Sequence, residues 1–68
     1  MNKAEQREVQ KAINFARIDP RYAAATLSGV MRSAKKASFL EMVQVMNDHG
    51  LRDHMEVVNG CYVEKVTA

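Results

Sequence analysis

Two Asp-His pairs, Asp48-His49 and Asp53-His54, lie on either side of Gly50, and a lone cysteine, Cys61, follows downstream. Carboxylate, imidazole and thiol are the groups that bind zinc, and a thiolate is also a nucleophile. The spacing speaks against both uses. A structural zinc site takes four ligands at short, characteristic intervals, and this set matches none of them. His49 reads more simply as a residue closing a helix, where its ring suits the exposed carbonyls of the last turn. Cys61 has no base or oxyanion donor fixed beside it. No glycine-rich phosphate loop and no assignable pair of catalytic carboxylates occurs elsewhere. The residues imply a non-enzymatic protein with no metal and no cofactor.

Charge carries a stronger signal. The chain of 68 residues has a formal net charge of only +2, unevenly spread. Residues 1–37 hold eight Lys/Arg against three Asp/Glu, whereas residues 38–68 hold two against five. The basic residues fall into three groups. Lys3, Arg7 and Lys11 recur at helical spacing as a stripe. Arg17 and Arg21 bracket the first turn. Arg32, Lys35 and Lys36 precede a third helical segment, so the lysine pair stands where a helix N-terminus could hold a phosphate. The plainer reading of that pair is a solvated turn between helices.

The elements that must position these groups are punctuated clearly. Asn2 followed by Glu5 makes a capping box, and Val9, Ala12, Ile13 and Ala16 follow the spacing of one buried face. A first helix is expected over residues 3–17, stopping before Asp19-Pro20 because a residue ahead of proline avoids helical geometry. Asp19 then caps, and Pro20 opens, a second helix over 20–34, with Ala23, Leu27, Val30, Met31 and Ala34 inward. Gly29, in mid-helix, either admits a close neighbour or is merely tolerated. Ser38 with Glu41 reads as a second capping box and starts a third helix over 39–49. Phe39, Met42, Val43 and Met46 face the core. Gly50 ends it, and Leu51 folds back toward Met46 as in a Schellman motif. Asn59-Gly60 between β-branched runs predicts a type I′ hairpin pairing Val58 with Cys61, Val57 with Tyr62 and Met55 with Glu64. Met55, Val57, Tyr62 and Val66 would then share the face that packs on the helices. Tyr62 reads as a packed hairpin aromatic, with no aromatic partner to make a stacking platform.

The whole is one mainly α domain, residues 1–68, with a C-terminal β-hairpin. Three helices followed by a hairpin, with a capped helix ending in His49-Gly50-Leu51 and a turn at Asn59-Gly60, resembles a small winged helix-turn-helix regulator. In that family the third helix lies in the DNA major groove and the hairpin is the wing. The resemblance implies a small DNA-binding protein of transcription regulation. Arg32, Lys35, Lys36 and Ser38 would contact phosphate, and Gln44 would read a base edge. The departure from that pattern is electrostatic: Glu41 and Asp48 are negative, and no Lys or Arg lies between residues 37 and 51. The alternative is a protein-binding adaptor or inhibitor of a larger protein, a regulator or polymerase, with Glu41, Gln44 and Asp48 as the contact face.

Other classes are less well served. No apolar run approaches the roughly 20 residues of a membrane span, and the polar N-terminus does not resemble a signal peptide. A single cysteine suits a reducing compartment, and a cytoplasmic location without a membrane partner is expected. Phe15, Ile18 and Val45 fall off the main apolar faces and are candidates for a homodimer contact. The methionines at 31, 42, 46 and 55 sit at core spacing.

Overall fold

The computed structural model describes residues 1–65. Three helices, α1 (Lys3–Phe15), α2 (Pro20–Met31) and α3 (Lys36–Asp48), are followed by a 3-10 turn at Leu51–His54 and two strands, β1 (Met55–Val58) and β2 (Cys61–Glu64). The expected class, mainly helical with a C-terminal antiparallel hairpin, is what the chain adopts.

The first two helices start where their caps put them. The Glu5 N–H donates to Asn2 Oδ1 at 2.8 Å and the Asn2 N–H to Glu5 Oε1 at 2.9 Å, a complete capping box. The Tyr22 N–H donates to Asp19 Oδ1 at 3.1 Å, and Pro20 occupies the first turn of α2, where a missing N–H costs nothing. Both helices end two to three residues earlier than the apolar pattern suggested, in turns at 16–18 and 32–33.

The third helix departs from expectation at its start. It begins at Lys36, three residues before Phe39, and its N-cap Lys35 provides no side-chain hydrogen bond. Ser38 is therefore inside the first turn and does not cap. Its hydroxyl donates instead to Glu5 Oε1 at 3.5 Å, joining α3 to the capping box of α1. Lys35, Lys36 and Ala37 are good helix formers, and with Ser38 engaged elsewhere nothing stops the helix from extending upstream. The C-terminal end matches the glycine signal. Gly50 has φ 69°, and its N–H donates to the Asn47 carbonyl at 3.4 Å. The 3-10 turn that follows left no mark in the sequence pattern.

The core is assembled around α2, which touches α1, α3, the 3-10 turn and β2. Val9 and Ala12 from α1, Ala23, Ala24, Leu27 and Met31 from α2, Met42 and Met46 from α3, then Leu51 and Met55, form one buried cluster. Ile13, Ala16, Val30, Ala34, Phe39 and Val43 pack against it half-buried, and so does Val45, which is thereby no free dimer surface. Small residues let α2 approach its neighbours: Ala23 and Ala24 are fully covered, and buried Ser28 donates its hydroxyl to the Ala25 carbonyl. Gly29 plays no such part. It is exposed, and a Cβ built there would meet nothing within 4 Å, so it is the tolerated glycine of the two readings.

The hairpin has the expected register, Met55 to Glu64, Val57 to Tyr62 and Val58 to Cys61. Asn59 and Gly60 both have positive φ, as a type I′ turn requires. Its docking is partial. Met55 at the base is buried, but Val57 is 56% exposed and Val58 45%, contrary to the expectation that Val57 faces the helices. The helices meet β2 rather than β1, so Tyr62 is half-buried against the core while Val57, its cross-strand partner, is left open. Val66, assigned to the same face, lies outside the described residues. Tyr62 does have an aromatic neighbour, supplied by α3. Its ring sits 5.8 Å from that of Phe39, and the Arg52 guanidinium lies over it, 5.7 Å from the ring centre.

Candidate functional site

α1 and α3 run in the same direction. Their N-terminal turns, with Ser33 from the α2–α3 connection, line one depression of about 300 Å³ that includes Asn2, Glu5, Lys35 and Ser38. Their C-terminal ends line a second of about 510 Å³, with Ala16, Arg17, Asp48 and His49 on its walls. The two ends of this helix pair thus each present a depression.

The first end collects most of the residues proposed for phosphate contact. Arg32, Lys35 and Lys36 are all exposed within one short connection. Ion pairs among the described residues join Lys11 to Glu8, Arg21 to Glu64 and the Met1 amino group to Glu41. None involves Arg32, Lys35 or Lys36. The first turn of α3 carries no acidic residue and no side-chain cap, so its N–H groups and helix dipole add to the positive character of this corner. Lys3 and Arg7 on α1 are also exposed and outside those pairs, whereas Lys11 is half engaged with Glu8 at 3.5 Å.

Ser38 and Gln44 do not join this group as free contacts. The Ser38 hydroxyl is half-buried and donates to Glu5. Gln44 lies further along the outward face of α3 and donates its amide to Asp48 Oδ1 at 2.7 Å. Gln44 and Asp48 thus belong together with exposed Glu41, which is 3.7 Å from the Met1 amino group. The three form a continuous outward strip of α3, as the helical spacing required. The sequence reading missed its most unusual member. Leu40, beside Glu41, is 58% exposed. The signal was available, because Leu40 falls opposite Met42 and Met46 on the helical wheel.

The two Asp-His pairs are dispersed. Asp48 and His49 end α3, Asp53 and His54 lie in the 3-10 turn, and Cys61 is exposed on β2. Among the described residues no three His, Cys, Asp or Glu side chains gather into a metal-holding group, and no helix is long and apolar enough to cross a membrane. The chain matches no family model, no curated protein and no solved structure at a significant level, so its functional reading rests on this geometry.

Proposed function

We propose that the protein is a small non-enzymatic nucleic-acid-binding regulator of winged-helix type that grips the phosphate backbone through Arg32, Lys35 and Lys36. The observation that carries this reading is the set of exposed cations, outside every ion pair among the described residues, around the uncapped first turn of α3. Cations already paired internally would have to exchange partners to meet a phosphate, and these do not. Neutralising phosphates releases counterions, the main sequence-independent drive for association with DNA. The order of three helices and a hairpin supports the reading by analogy with winged-helix domains.

The test is a titration of duplex DNA at low and moderate salt. Lys35→Ala with Lys36→Ala should weaken binding and flatten the dependence of log K on log salt by about one unit per lost phosphate contact. Absence of binding to any duplex at low salt, where non-specific attraction is strongest, ends this reading.

A second reading, a protein-binding adaptor or inhibitor, is favoured by Leu40. A leucine 58% exposed beside Glu41, in line with Gln44 and Asp48, offers little to a phosphate backbone and suits a protein partner's surface. Glu41→Ala separates the two. Removing the carboxylate relieves repulsion and strengthens DNA binding, whereas it removes a contact from a protein complex and weakens it.

A further inference from the structure

We infer that the opposite end of the molecule, where the α1–α2 turn meets the C-terminus of α3, is the contact surface of a twofold-symmetric dimer with a second copy of this chain. The turn carries Ile18, 78% exposed, the most exposed large apolar side chain among the described residues. Ile18 also forms part of the wall of the groove of about 510 Å³, whose other lining is apolar at Ile13 and Ala16 and polar at Asn14, Arg17, Asp48 and His49. Phe15 and Tyr22 flank the same turn, 39% and 44% exposed, their rings edge to face at 5.1 Å. A protruding isoleucine at the edge of a groove of mixed lining is a knob and a hole on one surface.

The charges indicate what covers it. Arg17 and Asp48 line this one groove, both exposed, yet no ion pair joins them. Asp48 accepts a hydrogen bond from Gln44 through Oδ1, and Arg17 belongs to none of the ion pairs among the described residues. In a twofold dimer each residue of the patch meets its complement across the axis, so residue i contacts j and j contacts i. A surface that presents one knob, one groove, one cation and one anion satisfies that rule with itself. Ile18 of each copy enters the groove of the other, and Arg17 of each copy meets the other's Asp48, twice. A specific dimer needs roughly 500 Å² from each partner. Against a total surface of 4648 Å², that is about a ninth of the chain. The dimer is accordingly near the lower size limit, and its formation should depend on protein concentration.

The inference is independent of the nucleic-acid reading, because it uses the other end of α1 and α3. Sedimentation equilibrium of the full chain across the micromolar range tests it. The wild type should pass from monomer to dimer. Ile18→Asp and Arg17→Asp should each weaken the dimer by about tenfold or more, since either sets a new carboxylate against the partner's Asp48 or buries one in its groove. Both positions are exposed, so circular dichroism should show the helices intact. Arg17→Asp combined with Asp48→Arg exchanges the charges and should restore association toward the wild-type level. A wild type that stays monomeric throughout overturns the inference and leaves the groove to a different partner. A dimer indifferent to both single changes, or a charge exchange as weak as Arg17→Asp alone, also overturns it.

Discussion

The two ends of the α1–α3 pair are built from the same parallel helices and differ in nearly every surface property. At the N-terminal end exposed cations gather beside the hydroxyls of Ser33 and Ser38 and the carboxylate of Glu5, and the depression is small. At the C-terminal end the exposed Ile18 stands at a wider groove that also carries Arg17, Asp48 and His49. For α3 both ends carry charge of the sign that its own dipole disfavours. Lys35 and Lys36 sit at the positive pole with no acidic residue in the first turn, and Asp48 sits at the negative pole with no basic residue in the last. Such placements cost stability, whereas α1 places Glu5 favourably in its first turn and completes its cap. The contrast teaches that α1 is arranged to hold the fold, while the ends of α3 are charged against its interest as a helix. That is the pattern expected where surface chemistry, rather than stability, determines the residue.

Substitutions at three positions break or sharpen this contrast. The largest effect is expected at Leu51, fully buried just beyond the C-terminus of α3. Leu51→Ala should cost about 2–5 kcal/mol in thermal or denaturant unfolding. Hydrogen exchange should rise first in the 3-10 turn and hairpin, with the N-terminal ends of the helices protected longest. Uniform loss of protection would show that the ends are not separable. A smaller effect belongs to the other end. Asn2→Ala removes the cap of α1 and should lower stability by about 1 kcal/mol, and Asn2→Asp, which keeps the acceptor, should recover most of it. The smallest effect is the most informative. Lys36→Glu puts a favourable charge at the N-terminus of α3 and should raise stability by about 0.3–1 kcal/mol, while weakening DNA binding in the same titration used for the lysine pair. A change that stabilises the fold and impairs binding supports the view that the lysine is there for a ligand. A change that destabilises removes that argument.

Much of this organisation was legible in the residue order, and the failures share a cause. Asp19-Pro20, Gly50 and Asn59-Gly60 act through their own backbone preferences, which need no tertiary contact, so the turns fell where they were expected. Ser38-Glu41 looked like an equally local signal and misled, because the hydroxyl is used by Glu5, which lies far away in the chain. Val57 was assigned inward by alternation alone. Alternation gives the face but not which of the two strands the helices lie against. The candidate site split along the same line. The cationic connection at 32–36 was visible as a run of charge. The engagement of Gln44 with Asp48, the exposure of Leu40 and the groove at the C-terminal end all depend on how α1 and α3 are laid side by side.

Among the described residues four of the ten buried apolar side chains are methionines, Met31, Met42, Met46 and Met55, whereas Met1 is 36% exposed. A thioether oxidised to sulfoxide becomes polar and cannot return to an apolar interior without disrupting it. Peroxide reaches Met1 directly but reaches the other four only when the domain opens. Their oxidation is therefore a timer of global unfolding, with an internal reference at the N-terminus. Each opening that is caught leaves a chain less able to close, so damage accelerates itself. The adaptable side chains that let so small a core fill its space also tie the lifetime of this protein to the redox state of its surroundings.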